Sequence, residues 1–387
     1  MKRLFSLFLA VLLLTLPVGA APADIPAQSA ILMDLTTGTI LYESNSHERL
    51  APASVTKVMT MLLIMEAIDA GKIAWDDTVT ASETAAAKGG SQIYLKVGET
   101  MSVEDMLKSI AVSSANDCAC AMAEHLAGSE SAFVEQMNSR ARELGMEDTH
   151  FVNCTGLDDE DSAKEHLTSA HDIALMSREL LLHHPDIKKF TTIWMDTVRG
   201  GAFGLANTNK LIRFYEGATG LKTGFTSSAG HCLSASAQRD GMELIAVVLK
   251  CPNSAQRFQA AKSLLDYGFA NYALAPALEG ETLMPVPVLL GQQQTVQPML
   301  AGESSLLMEK AKKQSLTRQI QLEPEVSAPV SQGQRLGTLT VRSGDEVLAE
   351  IPLLAETAVP RLSWREIFTS LLGRICMASP KETENAS

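Results

Sequence analysis

The chain has 387 residues, of which 46% are hydrophobic, and this is enough for two domains or for one large domain with an appendage. Its 45 acidic side chains outnumber 32 basic ones, so the formal net charge is −13. Proteins that bind nucleic acid neutralise phosphates with basic side chains, so this charge balance argues against nucleic acid as a partner.

The first 23 residues have the pattern of a secretory signal peptide. Lys2 and Arg3 give a positive start, residues 4–16 are apolar, and small residues follow. Cleavage after Ala20 and cleavage after Ala23 fit equally well. The apolar run is too short for a spanning helix, although a short membrane anchor remains the alternative. We therefore expect an exported protein.

The segment after the signal peptide combines a hairpin with a helix. Two apolar runs, residues 30–34 and 39–42, flank a turn with Gly38 and predict a β-hairpin. Residues 52–65 predict a buried helix with a proline at its start. Ser54 and Lys57 are three residues apart, so a helix places them on one face, with Ser54 in the first turn. A lysine packed among Met and Leu is desolvated and is a candidate base for a serine nucleophile, whereas the alternative is an ordinary surface pair.

The rest of the chain separates into a helical middle, a β-like region and a proline-punctuated end. Apolar spacing predicts helices over residues 103–112, 118–126, 131–144, 166–182 and 256–269, and strands over 220–224 and 244–249. Strands at both ends of a helical region indicate an α/β domain over residues 24–274. Beyond Pro276, prolines separate short strand-like runs such as 336–341 and 347–353, which predicts a small all-β domain over residues 276–356.

The number and spacing of the cysteines indicate which disulfides and metal sites the chain could form. The chain has six cysteines: Cys118, Cys120, Cys154, Cys232, Cys251 and Cys376. An even number in an exported protein permits disulfides, but the spacing is not that of a disulfide-stapled mini-domain. No Cys/His group has zinc spacing. We expect mostly buried free thiols, no metal site and no other cofactor.

Two further motifs follow the S-x-x-K motif. Ser114-Ala115-Asn116 lies in the break between two predicted helices, and Lys222-Thr223-Gly224 lies on a predicted strand. S-x-N is common by itself, whereas K-T-G is rarer. All three in this order, after a signal peptide and on the elements their roles require, match the motif set of β-lactamases and penicillin-binding proteins.

The chain resembles the serine-type D-alanyl-D-alanine carboxypeptidases, which are low-molecular-mass penicillin-binding proteins. The resemblance covers nearly the whole chain and includes residues 89–92, 114–117, 151–153 and Gly156-Leu157. It implies a β-lactamase/transpeptidase-like catalytic domain, in which a sheet is flanked by helices, and a small all-β C-terminal domain. It also implies removal of the terminal D-alanine from peptidoglycan stem peptides that end in D-Ala-D-Ala, and acylation by β-lactam antibiotics.

The resemblance implies catalytic roles for four residues. Ser54 would be the nucleophile and Lys57 its general base. Ser114 would help to pass a proton to the leaving amine, and Asn116 would orient Lys57 and the substrate backbone.

Substrate binding would fall to a second group: Lys222, Thr223, Gly224, Phe225, Thr226 and Arg257. Lys222 and the two threonine hydroxyls would receive the substrate's C-terminal carboxylate. The backbone N–H groups of Ser54 and Phe225 would form the oxyanion hole. Arg257 offers a fork of donors matched to a carboxylate, with a solvated helix arginine as the alternative.

Departures from the family pattern keep some questions open. Ala115 replaces a glycine, Phe225 replaces a polar residue of some relatives, and Thr155 replaces their histidine, which leaves open whether any side chain there accelerates deacylation. His166 and His171 are interpreted as helix residues rather than catalytic ones.

Two other functions share the motifs. A class A β-lactamase would need a deacylating glutamate, and no Glu-x-x-Leu-Asn stretch separates the S-x-N and K-T-G motifs. A non-catalytic penicillin-binding sensor or structural module would not need Ser54, Lys57, Ser114 and Lys222 intact.

The last prediction concerns an amphipathic helix over residues 361–377. Apolar residues recur at helical spacing and form one wide stripe: Trp364, Ile367, Phe368, Leu371, Leu372 and Ile375. Arg365 and Arg374 fall at its edges. The resemblance implies a membrane anchor here. We therefore expect a peripheral protein at the outer face of the cytoplasmic membrane, with a helix packed on the β domain as the alternative.

Overall fold

The computed structural model describes residues 24–158, 161–302 and 305–376. The predicted signal peptide, residues 1–23, lies outside these ranges. The chain divides into two compact units between Asn271 and Tyr272.

The first unit alternates short strands with helices. Its strands are β1 (Ser29–Asp34), β2 (Ile40–Ser44), β3 (Thr78–Thr80), β4 (Thr100–Ser102), β5 (Met195–Val198), β6 (Phe203–Ala206), β7 (Ala218–Thr226), β8 (Gly230–Arg239) and β9 (Met242–Cys251). Its helices are α1 (Lys57–Asp69), α2 (Glu83–Ala86), α3 (Val103–Ser113), α4 (Asn116–Ala127), α5 (Glu130–Glu143), α6 (Ala170–His183), α7 (Lys188–Thr191), α8 (Leu211–Phe214) and α9 (Ser254–Asn271).

A five-stranded sheet in the order β2-β1-β9-β8-β7 organises this unit. Neighbouring strands are antiparallel throughout. The N-terminal hairpin pairs with β9, a strand from the end of the unit, so the sheet is assembled from both ends of the sequence. The predicted hairpin, the predicted helices around it and the α/β layering are therefore confirmed.

Both faces of the sheet are covered. Along β1, Ile31 and Met33 join the large apolar cluster formed with the central helices. Because side chains alternate across a strand, Leu32 points to the other face. There α9 packs so closely that a Cβ at Gly268 would lie 3.0 Å from Leu32 Cδ2. A sheet buried on both faces explains why β9 is almost continuously apolar rather than alternating.

Two predicted helix starts are wrong, and five strands of this unit, the short β3, β4, β5 and β6 and the long β8, were not predicted. Ser54 lies in a 3-10 turn, Ala53–Thr56, that runs into α1, so it precedes the α-helix proper. Helix α6 begins at Ala170 rather than at residue 166, because Ser169 Oγ accepts the backbone N–H of Asp172 as an N-cap. Strand β8 was not predicted because its Gly, Ser and Gln residues dilute the apolar pattern.

The second unit is built of small sheets. Its strands are β10 (Tyr272–Pro276), β11 (Val286–Leu289), β12 (Thr295–Val296), β13 (Pro298–Leu300), β14 (Ser305–Glu309), β15 (Leu316–Leu322), β16 (Val326–Ser327), β17 (Arg335–Ser343) and β18 (Glu346–Ala355). They form the sheets β10-β14, β12-β11-β16 and β13-β18-β17-β15. Helix α10 (Trp364–Cys376) follows. The β-rich architecture is confirmed, but residues 272–274, expected in the first domain, form part of β10, which pairs with β14 of the second unit.

Five cysteines are described in full, and all five are free and buried: Cys118, Cys120, Cys154, Cys232 and Cys251. The expectation of buried thiols is confirmed for these five. The side chain of Cys376 lies outside the described part of the chain.

Candidate active site

The turn that carries Ser54 is held by close backbone contacts. Ala53 has φ +48°, a left-handed conformation that few non-glycine residues adopt. Gly156 lies against it, and a Cβ at that glycine would come 1.8 Å from Ala53 O. Gly224 of β7 approaches from another direction, where a Cβ would lie 2.5 Å from Pro52 O. Side chains are excluded at both glycines, and Ser54 stays partly exposed at the surface of this packed turn.

Lys57 is fully buried and meets the serine directly. Its Nζ donates to Ser54 Oγ at 3.0 Å and to the backbone carbonyl of Thr155 at 2.8 Å. Burial lowers the pKa of Lys57 from 10.5 to about 7, against smaller raising effects of Cys154 and Asp117. A substantial neutral fraction is therefore present at neutral pH, and a neutral amine can accept the Ser54 proton.

The S-x-N motif lies between α3 and α4. Ser114 is buried in the left-handed region at φ +63°, and it ends α3. Asn116 Nδ2 donates to Gly89 O at 2.7 Å, and its backbone N–H donates to Ser91 O. Among the residues that the structure describes, Ser114 Oγ and Asn116 Oδ1 are buried without a hydrogen-bond partner. Two unsatisfied polar atoms at this position suit a ligand that supplies the missing partners.

The loop of residues 88–95 packs against Asn116. A Cβ at Gly90 would lie 2.9 Å from Asn116 Nδ2 and 3.2 Å from Leu157 Cδ2. Leu157 is two residues from Thr155, whose carbonyl holds Lys57. Gly90 thus lies between Asn116 and the segment whose carbonyl accepts from Lys57.

Lys222 is the second buried lysine. Its Nζ donates to the backbone carbonyl of Thr223 at 3.0 Å. Burial holds the pKa of Lys222 well below its ordinary value, and the positive charges of Lys57 and Arg257 lower it further. The structure therefore brings both Lys57 and Arg257 into electrostatic range of Lys222.

Two threonines of the K-T-G segment have different surroundings. Thr223 Oγ1 lies 2.6 Å from Thr208 Oγ1, a residue that was not predicted for the site. Thr226 is half-buried at the end of β7, where its Oγ1 lies 3.2 Å from Ser228 Oγ and accepts the backbone N–H of Ala229. Thr208 carries no motif, and only its position between Asn207 and Asn209 could have drawn attention.

Arg257 is not a solvated helix arginine. The residue is 7% exposed, and its Nη1 donates to the backbone carbonyls of Gly224 and Cys232. Its Nε is buried without a partner among the described residues. The side chain therefore fastens α9 to the K-T-G strand, and its contact with a substrate carboxylate stays a prediction. Phe225 is 57% exposed and stacks on His231, with ring centroids 4.4 Å apart.

His166 precedes α6 and supports the serine turn from behind. Its Nδ1 accepts the backbone N–H of Val152 at 3.1 Å, so the proton sits on Nε2, which lies 2.7 Å from Thr56 Oγ1. The Thr56 hydroxyl in turn donates to Ala53 O at 2.8 Å. Burial, helped by the positive charges of His150 and Lys57, lowers the pKa of His166 to about 4. The expectation that His166 lies in a helix is wrong. His166 is neutral and stabilises the Ser54 turn through its hydrogen bond to Thr56. His171 does lie in α6, where its Nδ1 is 3.2 Å from Asp172 Oδ1.

Comparison with known proteins gives the family. Residues 17–253 match the family model described as D-alanyl-D-alanine carboxypeptidase, and residues 276–361 match the C-terminal domain of penicillin-binding protein 5. The chain is 44% identical to the D-alanyl-D-alanine carboxypeptidase DacF of Bacillus subtilis, over 92% of this chain and 94% of that protein. The chain belongs to the D-alanyl-D-alanine carboxypeptidase family.

Solved structures agree with this carboxypeptidase-family assignment. Penicillin-binding protein 5 of Haemophilus influenzae is 31% identical, with a TM-score of 0.77 over 89% of this chain and all of that one. Penicillin-binding protein D2 of Listeria monocytogenes in its ampicillin-bound form is 32% identical, with a TM-score of 0.58 over 64% of this chain and 99% of that one. The transpeptidase-like catalytic fold with an all-β second unit is confirmed.

The buried histidine predicts an acid-sensitive first unit. His166 charges near pH 6.5 when unfolded but only near pH 4 when folded. The stability it contributes is therefore complete above pH 6.5 and is lost as the pH falls toward 4, by about 3 kcal/mol over that window. Amide hydrogen exchange of α1 in the full chain should show this loss between pH 7 and pH 4.5.

Two variants test the assignment to His166. His166→Gln keeps a donor and an acceptor but does not titrate, so its α1 stability should change far less with pH. His125 is exposed on α4, and His125→Gln should behave like the wild type. An equal pH dependence in wild type and His166→Gln would assign the acid sensitivity to other groups.

Proposed function

We propose that this protein removes the terminal D-alanine from peptidoglycan pentapeptide stems through an acyl-enzyme on Ser54, and that penicillins acylate the same serine. The observation that carries the proposal is the 3.0 Å contact between Ser54 Oγ and a fully buried Lys57 whose pKa is lowered to about 7. The serine peptidase activity of the family and the name of its relative DacF support the substrate class.

The reaction follows from this geometry in two steps. Lys57 takes the Ser54 proton while Oγ attacks the carbonyl carbon of the D-Ala–D-Ala peptide bond. Negative charge on the carbonyl oxygen would be received by the backbone N–H groups of Ser54 and Phe225. Gly224, the residue before Phe225, packs against the turn that carries Ser54, which supports this pairing. The tetrahedral intermediate expels D-alanine, whose amine takes a proton through Ser114. Water then hydrolyses the ester and regenerates Ser54.

Substrate orientation falls to the polar groups around this centre. Asn116 Oδ1 is available to a substrate N–H, because its Nδ2 is already committed to Gly89 O. Lys222, Thr223 and Thr226 offer a cation and two hydroxyls to the terminal carboxylate. Arg257 adds positive charge near the K-T-G strand. Its Nη1 already donates to two backbone carbonyls.

A β-lactamase and a non-catalytic sensor are the competing functions. The segment between α4 and β7 has no Glu-x-x-Leu-Asn stretch, and the carbonyl of Thr155, rather than a side chain, meets Lys57. Slow deacylation of penicillin is therefore expected, unlike in a lactamase. Buried, intact Lys57 and Lys222 favour catalysis over a sensor role.

Product analysis of muropeptides tests the activity. The wild type should release D-alanine from a pentapeptide and should be labelled covalently by fluorescent penicillin. Ser54→Ala should lose both, whereas Ser131→Ala, at an exposed serine of α5, should retain both. Labelling that survives in Ser54→Ala would contradict the nucleophile. Rapid penicillin turnover would indicate a lactamase, and labelling without D-alanine release a sensor.

The pH dependence of acylation tests the base. If neutral Lys57 is the acceptor, the penicillin acylation rate should rise with pH and reach half its maximum near pH 7. Lys57→Arg keeps the charge but cannot give up a proton, so acylation should fall by roughly 10²–10⁴-fold. Unchanged thermal unfolding is the control for Lys57→Arg. Near-normal acylation in this variant would mean that the lysine acts only as a positive charge.

Export and membrane attachment belong to the same proposal. Residues 1–23 would direct export, and α10 would hold the protein at the outer face of the cytoplasmic membrane. Ser363 and Glu366 cap α10 reciprocally: the Ser363 N–H donates to Glu366 Oε2 at 2.7 Å, and the Glu366 N–H donates to Ser363 Oγ at 3.4 Å. The Glu366 carboxylate is thereby engaged in a hydrogen bond at the start of α10.

The apolar residues of α10 support an interfacial helix over one packed on the β domain. The exposed fractions are 71% for Trp364, 56% for Phe368, 54% for Leu371 and 44% for Leu372. Among the described residues no helix is long and apolar enough to cross a membrane. An exposed apolar stripe flanked by arginines suits a helix that lies in the headgroup region. The side chains of Arg374 and Ile375 lie outside the described residues.

Vesicle flotation tests the anchor. Residues 24–387 should float with vesicles of equal phosphatidylglycerol and phosphatidylcholine, whereas residues 24–362, which lack α10, should stay in solution. Both should bind penicillin equally, which controls for folding of the first unit. Equal flotation of the two chains would mean that α10 is not the anchor.

A further inference from the structure

A tight turn of the second unit presents two exposed leucines. Leu289 ends β11 with 44% of its surface exposed, and Leu290 follows with 47% exposed. Leu290 has φ +57°, a left-handed conformation in which glycine or asparagine is usual. Folding stability alone would favour another residue at this place, so the exposed leucine there calls for a different reason.

The turn is fastened to the segment that leads into α10. The Leu362 N–H donates to Leu290 O at 2.8 Å, and the Gln292 N–H donates to Pro360 O at 2.9 Å. Gly291 fits beneath this segment, because a Cβ there would lie 2.9 Å from Val359 Cγ1. The two leucines therefore lie next to the segment that leads into α10, in a turn that backbone hydrogen bonds hold in place.

The charge around the turn differs from that of the chain as a whole. The protein has 45 acidic residues, yet residues 283–302 include no charged side chain. The neighbouring segment supplies exposed Arg361 and Arg365. Anionic lipid would repel an acidic surface, whereas an uncharged turn beside two arginines is suited to such a bilayer.

From this we infer that the β11–β12 turn is a second membrane contact, in which Leu289 and Leu290 enter the headgroup boundary of an anionic bilayer beside α10. The inference rests on the proposed anchoring role of α10 and adds a rigid contact to it. A single amphipathic helix on a flexible connection leaves the attached domain free to tilt. Two contacts joined by hydrogen bonds would fix the orientation of the second unit on the lipid surface.

Flotation of full-length variants with the same vesicles provides the test. Leu289→Gln/Leu290→Gln should lower the vesicle partition coefficient by about tenfold or more, because two half-exposed leucines lose their transfer into an apolar environment. Leu290→Asn should also weaken binding while folding at least as well as the wild type, because asparagine tolerates the left-handed conformation. Its thermal unfolding temperature shows that a weaker partition does not come from misfolding.

Val347 offers a matched control on the same unit. It is 42% exposed and lies near the start of β18, eight residues from Ala355, which is about 26 Å along a strand. Ala355 belongs to the same apolar cluster as Val288 and Val359, so Val347 is remote from the turn. Val347→Gln should therefore float like the wild type.

The possible outcomes separate the two proposals. Wild-type flotation by both leucine variants, with loss only in residues 24–362, would overturn the second contact and leave α10 as the anchor. Weakened leucine variants, with undiminished binding of residues 24–362, would reject α10 and keep the turn. Failure of the wild type to float would overturn both. Sedimentation velocity without lipid that shows a wild-type dimer and a monomeric double variant would assign the leucines to self-association instead and overturn the membrane contact.

Discussion

The complete burial of Lys57 is the constraint on which the catalytic unit depends. Removing an ammonium group from water is costly, and the described contacts that offset this cost are Ser54 Oγ and the carbonyl of Thr155. Both acceptors must therefore be held rigidly. The serine belongs to the 3-10 turn before α1, and the carbonyl belongs to a loop that Gly156 packs against the same turn. The pKa of the lysine thus follows from how tightly these two segments close around it.

Close packing also determines which residues can surround the turn that carries Ser54. Gly156 and Gly224 approach the backbone next to Ser54 from different elements, and neither has space for a methyl group. Behind the turn, the Thr56 hydroxyl donates to Ala53 O, and neutral His166 donates to the Thr56 hydroxyl. A nucleophile held by backbone contacts on several sides loses little conformational freedom on reaction, and this is the physical content of preorganisation.

The sequence predicted the site residues that belong to short motifs. It missed those that reach the site through contacts between segments distant in the sequence. S-x-x-K, S-x-N and K-T-G could be recognised because the residues of each motif are close together in the sequence. Thr208 could not, because its 2.6 Å contact with Thr223 joins a loop to a strand without any motif. His166 was assigned to a helix because its neighbours continue the apolar period of α6, whereas the N-cap at Ser169 starts that helix three residues after His166. The sheet was partly predictable, since β1 and β9 each contain a continuous apolar run, whereas the pattern of β8 was obscured by small polar residues.

The site contains three basic side chains in one part of the fold. Lys57 and Arg257 both lie in electrostatic range of Lys222, and within the described residues none of the three forms an ion pair with a carboxylate. Burial is the largest cause that lowers the pKa of each, so the protein alone stabilises their charged forms poorly. A carboxylate that enters beside Lys222 supplies the missing counter-charge and favours the protonated form there, while Lys57, committed to Ser54, keeps the lower pKa of a base. One buried lysine is thereby suited to recognise an anion and the other to move a proton, although both belong to the same cluster.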